Sequence, residues 1–358
     1  MTTAITKEKA VLSADDPFKV LKIAEVFGIE AGAHECIAFA DRQPPHPLIP
    51  QTHPDYVFRK DIVRDVLAFL YRPRGDALWL SGPTGSGKTS VILEIAGRLN
   101  WPVVQITCHG SMEFSELRGQ FVVESIKGSA TPVMRFRHGP LAQAMKEGFI
   151  LLINEIDLMD PAELAGLNDV LEGRPLVIAE NAGEIIAPHE NFRVIVTANS
   201  NGAGDATGLY QGIQSQNLAA MDRYRTLLVD YPTATVEKRI LAKVAPQLPA
   251  SLHQKMVKLA GEIRSAFLGA DGTRGRLSVT MSTRTLVRWA ELTVDFLGAP
   301  NAVKEAFNPS LMNRCTQDER IALEELARLV FGDDWTKEAL DLSDKIKSTS
   351  KRRTKADR

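Results

Sequence analysis

The sequence predicts an α/β fold: a five-stranded parallel sheet flanked by helices, with a smaller helical domain after it. Three observations predict this fold. From about residue 56 to 232, short and nearly continuous apolar runs alternate with helix-like periods, a pattern typical of strands buried on both faces. A glycine-rich segment follows the first apolar run and precedes a helical period. Beyond residue 233 the strand signals stop and amphipathic helical periods replace them.

At 358 residues the chain is long enough for two or three domains. We expect an N-terminal accessory arm with a proline-rich linker at 1–50, an α/β core with two inserted hairpins at 51–232, a helical lid at 233–335 and a basic tail at 336–358. The tail is interpreted as a solvated segment, with docking to a partner or to nucleic acid as the alternative.

The individual elements follow from local patterns. Within the arm, residues 18–27 predict a short amphipathic helix, and the proline-rich residues 43–50 predict a linker or an extended docking segment. The predicted strands are 77–80, 103–107, 149–153, 194–197 and 226–229. The predicted helices of the lid are 236–244, 252–268, 282–296 and 318–331. The predicted hairpins pair 121–124 with 133–137 around the turn 127–130, and 175–179 with 184–187 around 181–183.

Composition excludes several classes of protein. Lysine and arginine total 43 against 44 for aspartate and glutamate, so no global charge points to nucleic acid or a membrane surface. The three cysteines lie far apart and lack zinc-site spacing, and free thiols fit a reducing cytoplasm. The polar N-terminus has no signal-peptide core, and no apolar run is long enough to span a bilayer. We therefore expect a cytoplasmic protein without a membrane segment.

The glycine-rich segment matches G-x-x-x-x-G-K-[ST] and predicts a nucleotide-binding loop. Glycines let backbone N–H groups close around phosphates, Lys88 places a positive charge at the β- and γ-phosphates, and Thr89 offers a hydroxyl to Mg²⁺. An ordinary glycine turn is the alternative, but a strand before and a helix after favour ATP binding. The expected binding residues are Gly82, Pro83, Thr84, Gly85, Ser86, Gly87, Lys88, Thr89 and Ser90.

A second motif, residues 149–157, ends an apolar run with Asn154-Glu155. In ATPases built on such a loop this strand normally ends in Asp-Glu, where the aspartate holds the Mg²⁺ shell and the glutamate polarises the attacking water. We expect Glu155 to be the catalytic base. Asn154 can still accept a hydrogen bond from a metal-bound water but removes one negative charge near the cation, for which Asp157 could compensate.

Three further polar residues complete the predicted site. Asn199 follows a strand and fits an amide that senses water or phosphate, although a lone asparagine there is more often a turn residue. Arg223, with Arg225 as a substitute, suits an arginine finger that projects into a neighbouring subunit; the alternative is a charged turn. Arg284 lies in the first turn of a helix that Ser282 or Thr283 can cap, where the helix dipole mildly disfavours an arginine. A nearby phosphate would explain an arginine at this position, and an ordinary surface residue is the alternative.

These residues in this order resemble the AAA+ superfamily, more narrowly its MoxR-type group, and most closely the small AAA+ subunits of aerobic cobaltochelatases. Segments outside the loop motifs carry the resemblance too: 26–29, 55–58, 201–212, 221–223, 281–285 and 307–331. The resemblance implies an AAA+ P-loop core, a helical lid and a hexameric ring with ATP and Mg²⁺ at subunit interfaces.

The same resemblance implies a role for each site residue. Lys88 and Thr89 would bind phosphate and Mg²⁺, and Glu155 would act as the base. Asn199 would be the first sensor, Arg223 the finger in trans and Arg284 the second sensor. Val57 and Phe58 would form walls of the adenine pocket. The hairpins would reach toward the ring pore, and the partner would carry a von Willebrand factor A domain.

The leading hypothesis is an ATP-driven ring motor that remodels a partner protein complex. Within it, a chaperone-like task and the ATPase subunit of a cobalt chelatase both stay open. A nucleotide-dependent scaffold with little turnover is a second class of function, which Asn154 keeps open. A nucleic-acid motor is a third and weaker class, supported by the basic tail and by Lys127, Arg135, Arg137 and Lys146.

Overall fold

The computed structural model describes residues 17–41, 43–125, 132–204, 212–268, 275 and 277–335. Its strands are β1 Phe18–Lys22, β2 Glu35–Phe39, β3 Ala77–Ser81, β4 Val103–Thr107, β5 Gly119–Glu124, β6 Val133–His138, β7 Ile150–Asn154, β8 Leu176–Ile178, β9 Glu184–Ile186, β10 Arg193–Ala198 and β11 Tyr224–Leu228. Its α-helices are α1 Ile23–Phe27, α2 Lys60–Tyr71, α3 Lys88–Arg98, α4 Phe114–Arg118, α5 Pro140–Glu147, α6 Pro161–Leu164, α7 Asn168–Leu171, α8 Leu218–Met221, α9 Ala234–Val244, α10 Ala250–Leu268, α11 Thr283–Asp295, α12 Ala302–Ser310 and α13 Gln317–Phe331.

A five-stranded parallel sheet forms the centre of the molecule, in the order β11-β3-β10-β7-β4. The three central strands β3, β10 and β7 are buried at every position because both faces of the sheet are covered there, whereas the edge strands β4 and β11 carry some exposed and polar residues. In β3, Ala77 and Trp79 join the core on one face, while Leu78 and Leu80 join the core on the other. All five predicted strands are confirmed to within two residues. Since the strands are parallel, their carboxyl ends share one edge, where ligands bind in such sheets.

The N-terminal arm differs from the prediction. Residues 18–22 form β1, which pairs antiparallel with β2, and only residues 23–27 are helical. The predicted helix 18–27 is therefore wrong in its first half, because pairing with a distant strand overrides the local helical pattern. Tyr71 of α2 anchors this hairpin: its hydroxyl donates to the Ile37 carbonyl at 2.6 Å and accepts the Ile37 N–H at 3.1 Å.

The proline-rich segment 43–50 lies on the sheet rather than apart from it. The Leu48 carbonyl accepts a hydrogen bond from the Val103 N–H at 2.9 Å, at the start of β4, and the Leu48 side chain packs against the core. The segment contains no named helix or strand, as predicted, and its contacts with β4 and the core favour a docked segment over a free linker, although residues 46–49 form a turn. The predicted features at residues 1–16, 127–130, 205–211 and 336–358 lie outside the described residues.

After β11, the named α-helices α9 to α13 pack around a second apolar core. Four aromatic side chains form its centre: the rings of Trp289 and Phe307 lie 4.9 Å apart, and those of Phe331 and Trp335 lie 5.3 Å apart. The four predicted helices are confirmed, and α12 is an addition. The division of the chain at residues 50, 232 and 335 stays a prediction.

Both predicted hairpins are present. Strands β5 and β6 pair antiparallel, as do β8 and β9. The first hairpin places Val123 opposite Met134, and these side chains are 69% and 66% exposed. In the described part of the chain, no helix combines the length and the apolar character needed to cross a bilayer.

Candidate active site

The glycine-rich loop connects β3 to α3 at the carboxyl edge of the sheet, so the N–H groups of the first turn of α3 point out of this edge. Gly82 has a φ of 149°, and a Cβ there would lie 2.2 Å from the Val229 carbonyl oxygen. Gly85 has a φ of 69°, and its Cβ would lie 2.6 Å from the Ser282 side chain. Only glycine therefore lets the loop pass between β11 and the lid helix α11.

Lys88, the first residue of α3, is buried and points back into the loop. Its Nζ donates to the carbonyl oxygens of Gly82 at 2.6 Å and Pro83 at 3.0 Å, and to Oδ1 of Asn199 at 3.0 Å. Burial lowers the pKa of Lys88 to about 8, against the opposing charges of Asp157 and Glu155. The ammonium group is thus held where a phosphate would meet it, and it contacts the predicted sensor at the end of β10.

Asn154 ends β7 with its amide oxygen toward the loop. Thr89 Oγ1 donates to Asn154 Oδ1 at 2.7 Å, and Thr197 Oγ1 donates to the same oxygen at 3.3 Å. The Nδ2 of Asn154 donates to the Ile106 carbonyl at 3.3 Å, and this bond orients the Asn154 side chain. The structure therefore brings together the two predicted Mg²⁺ residues, Thr89 and Asn154. The asparagine presents an oxygen to this position without a charge.

Glu155 follows directly, with an exposed side chain and a left-handed backbone at φ 53° and ψ 42°. Its N–H donates to Thr197 Oγ1 at 3.3 Å. A non-glycine residue in this conformation costs about 1–3 kcal/mol, and such residues occur in tight turns and cluster at functional sites. The turn thus places an exposed carboxylate at the carboxyl edge of the sheet, directly after Asn154.

Asp157 has a role that the sequence did not reveal. It is completely buried, and its Oδ2 accepts the backbone N–H groups of Asn199 at 2.9 Å and Ser200 at 3.0 Å. Its Oδ1 is buried without a hydrogen-bond partner among the described residues. Asp157 therefore orients the end of β10 and contributes a negative charge close to Lys88. A second acidic residue two positions after Glu155 was the only signal in the sequence.

Arg223 lies at the opposite, amino edge of the sheet. Its carbonyl accepts the N–H of Ala77, the first residue of β3, so β3 alone separates it from the loop by about 13 Å. Its guanidinium pairs with Glu172, with Nε 2.9 Å from the carboxylate oxygen, and donates to the Ala219 carbonyl at 2.7 Å. Arg223 is therefore not brought to the loop of its own chain.

Arg225, the predicted substitute for Arg223, is held at the same amino edge. It donates to Asp76 Oδ2 at 3.0 Å and to the carbonyl oxygens of Arg72 and Pro73 at 3.3 and 3.2 Å. These contacts explain Arg225 as a residue that ties β11 to the turn before β3.

A cavity of about 650 Å³ opens between the loop, the segment 53–59 and the lid. Gly85, Ser86, Gly87 and Ser90 line its core side. The lid contributes apolar side chains from α9 and α11 together with three cations, Lys243, Arg284 and Arg288. Lys243 and Arg288 were missed in the sequence, although the i, i+4 spacing of Arg284 and Arg288 places both on one helix face.

Val57 lines this cavity, but Phe58 does not. Phe58 is only 5% exposed, its ring lies 5.0 Å from Phe27 and 4.7 Å from Tyr56, and the Arg98 guanidinium sits 4.7 Å above it. The prediction that Phe58 forms a wall of an adenine pocket is therefore wrong. Tyr56, Val57 and Arg59 line the cavity, whereas the Phe58 side chain packs into the core.

The residues fit a bound nucleotide and its Mg²⁺. Ser86 Oγ is buried within the loop and has no hydrogen-bond partner in the described residues. The Lys88 ammonium is satisfied by loop carbonyls and a phosphate can replace them. Thr89 and Asn154 offer the oxygen donors that Mg²⁺ prefers. Elsewhere in the described ranges, no cluster of three or more His, Cys, Asp or Glu side chains could hold a metal ion.

Comparison with known proteins agrees with this geometry. Residues 77–215 match the AAA domain of the dynein-related subfamily, and residues 237–330 match the CbbQ/NirQ/NorQ C-terminal domain. The aerobic cobaltochelatase subunit CobS of a Sinorhizobium species is 30% identical over 322 residues, covering 88% of this chain and 92% of CobS. The chain belongs to the MoxR-type AAA+ ATPases. The resemblance inferred from its motifs is thereby confirmed.

Other matches to this MoxR-type chain are more partial. Midasin of Dictyostelium discoideum is 28% identical over 248 residues, which are 68% of this chain and 4% of Midasin. Among solved structures, the Thermotoga maritima RuvB Holliday junction branch migration motor aligns over 80% of this chain and 74% of its own, with a TM-score of 0.41 and 14% identity. AAA+ ATPases hydrolyse ATP and commonly assemble into rings.

Proposed function

We propose that this chain binds ATP with Mg²⁺ between the glycine-rich loop and the lid, hydrolyses it, and uses the energy as a hexameric ring motor to remodel a partner complex. The contact between Lys88 Nζ and Asn199 Oδ1, 3.0 Å long, carries the proposal. It joins the loop to the end of β10, beside the strand that delivers Asn154 and Glu155.

The roles of the residues follow from their positions. The loop and Lys88 bind the phosphates, while Thr89 and Asn154 hold the metal shell. Mg²⁺ supplies the positive charge that neutralises the β- and γ-phosphates when it is bound. The exposed Glu155 carboxylate takes the proton of the attacking water, Asn199 orients that water or the terminal phosphate, and Arg284 binds phosphate from the lid.

The place of Arg223 supports a ring with catalysis at its interfaces. The residue lies at the sheet edge away from its own loop, so it can meet a terminal phosphate only in another subunit. An arginine finger of this kind is worth ~10³–10⁵ in rate. The ion pair with Glu172 then has to open when a neighbouring subunit arrives.

The hairpins support engagement of a partner. Phe121, Val123 and Met134 on β5 and β6, and Ile185 on β9, are more than half exposed. Large apolar side chains on a solvent-facing ribbon mark an interaction surface. We propose that they contact the remodelled complex, and that the partner includes a von Willebrand factor A domain, as in related MoxR systems.

A metal chelatase is a second candidate for the driven complex. It is favoured by the likeness to CobS, which spans nearly the whole of both chains. In that case this chain would energise a larger chelatase subunit that inserts cobalt into a corrin ring. Adding such subunits should stimulate ATP hydrolysis and produce the metallated corrin; hydrolysis without metallation would leave the remodelling of another complex as the function.

The decisive experiment measures Mg²⁺-dependent ATP hydrolysis as a function of protein concentration. A rate per subunit that rises with concentration supports interface catalysis. Lys88→Ala should abolish ATP binding, whereas Lys258→Ala, a change at an exposed lysine of the lid, should leave it intact. ATP binding with almost no turnover at any concentration would favour a nucleotide-dependent scaffold instead.

A further inference from the structure

A continuous chain of polar contacts connects the glycine-rich loop to the lid helix that carries Arg284. It begins at Tyr231, in the segment between β11 and α9. The Tyr231 hydroxyl donates to the Thr84 carbonyl oxygen at 3.1 Å, in the exposed middle of the loop. Tyr231 therefore connects the loop directly to the segment that leads into the lid.

The next contact lies between the Tyr231 ring and Arg264 of α10. The Arg264 guanidinium carbon is 4.2 Å from the ring centroid, well within the range of a cation–π interaction. Arg264 is 12% exposed, so water screens this contact little. A planar guanidinium stacks on the ring while its edge stays free to bind elsewhere.

The edge of Arg264 binds Glu237 of α9 through two parallel hydrogen bonds. Nη1 lies 3.0 Å from Oε2 and Nη2 lies 2.6 Å from Oε1, while Nε donates to the Met281 carbonyl at 2.7 Å. Glu237 is 1% exposed and accepts a third bond from Thr283 Oγ1 at 2.9 Å. Thr283 is the first residue of α11, directly before Arg284, and Met281 lies just ahead of the residue that caps this helix, Ser282.

The placement of this ion pair argues for more than lid stability. A buried ion pair is weak evidence for stability, because removing both charges from water offsets most of their attraction. The apolar core of the lid, around Trp289 and Phe307, provides the packing without it. Through these contacts the pair joins the segment around Tyr231, helix α9 and the start of α11.

We infer that Tyr231, Arg264, Glu237 and Thr283 form a lid relay that sets the position of Arg284 against the loop, with Arg264 as its central positioning residue. This rests on the proposed function, in which Arg284 binds phosphate. Displacement of Thr84 by a nucleotide moves Tyr231, and the rigid bidentate pair transmits the movement to α11. The loop and the start of α11 also lie close together, since a Cβ at Gly85 would come within 2.6 Å of the Ser282 side chain.

A double-mutant cycle tests the relay. Tyr231→Phe removes only the hydroxyl that reaches Thr84 and keeps the ring under Arg264. Arg264→Lys keeps a charge opposite Glu237 but loses the planar fork. The control is Lys304→Met, which breaks a lid ion pair with Glu324, 3.0 Å long, away from the loop. In each background, the loss of affinity for a non-hydrolysable ATP analogue on Arg284→Ala is measured by calorimetry, with thermal unfolding to confirm the fold.

Arg284→Ala alone should lower the affinity for the analogue by about tenfold, as expected for the loss of one hydrogen bond to a charged group. In the Tyr231→Phe and Arg264→Lys backgrounds this loss should shrink to about twofold, because Arg284 is already displaced. It should stay about tenfold in Lys304→Met. An equal loss in every background, or a reduced loss in the control as well, would overturn the relay while leaving ATP binding in place. A native chain that binds no analogue would instead overturn the proposed function.

Discussion

Protonation of Lys88 should tie ATP affinity to pH in this protein. Burial lowers the pKa of its ammonium group to about 8, although the charges of Asp157 and Glu155 oppose the shift. A terminal phosphate is attracted to the charged form and gains little from the neutral amine. ATP affinity should therefore fall as the pH rises through about 8.

The size of the effect follows from the titration. The protonated fraction of Lys88 falls from about three quarters at pH 7.5 to about 3% at pH 9.5, so affinity should fall by about 25-fold. Stability of the ligand-free fold should move in the opposite direction. Between about pH 8 and 10.5 the unfolded chain binds more protons at this residue, so the free energy of unfolding rises with pH, by at most about 3 kcal/mol.

Calorimetric titration with a non-hydrolysable ATP analogue between pH 7.5 and 9.5 measures the first effect, and denaturant unfolding of the free protein measures the second. Lys88→Arg is the control, since a guanidinium stays protonated and its pH profile should be flat. Asp157→Asn removes a charge that raises the pKa of Lys88, so the loss of affinity should begin at lower pH. A native affinity that stays constant over this range would refute the reasoning.

Three further outcomes are expected. Glu155→Gln should bind ATP normally and lose turnover; mixing it with Arg223→Ala should restore part of the activity, and no restoration would argue against a finger in trans. Asn154→Asp returns a negative charge beside Thr89 and should lower the Mg²⁺ concentration needed for half-maximal hydrolysis, whereas an unchanged requirement would separate Asn154 from the metal. Glu172→Gln frees Arg223 and should raise the rate per subunit most at low protein concentration; a uniform change at all concentrations would contradict a role of this ion pair in assembly.

Much of the candidate site could be predicted because Asn154 ends a strand, Asn199 follows one directly, and the loop that leads to Lys88 follows another. Lys88, Asn154 and Asn199 lie within a few residues of an apolar run that is recognisable by itself. Parallel strands then bring their carboxyl ends to one edge, so residues distant in the chain meet without any further information. The contact between Lys88 and Asn199, 111 positions apart, is a consequence of this topology.

Other parts depend on contacts between distant segments that carry no local signal. The first strand of the arm was assigned to a helix because its partner lies beyond a loop and a helix. Phe58 and Val57 were equally suited to a ligand wall, and only packing decides which of them faces the core. The pairing of Arg264 with Glu237 joins two helices whose charged residues are individually typical of a solvated surface.

At Glu155 the left-handed backbone lowers the stability of the fold, while the side chain is the proposed catalytic base. Glycine adopts φ 53° without strain because it has no Cβ, so Glu155→Gly relieves about 1 kcal/mol of local strain while deleting the proposed base. Directed evolution for heat resistance alone would therefore tend to select inactive chains at this position. A selection for thermostable variants of this ATPase therefore has to measure ATP hydrolysis together with heat resistance in every round.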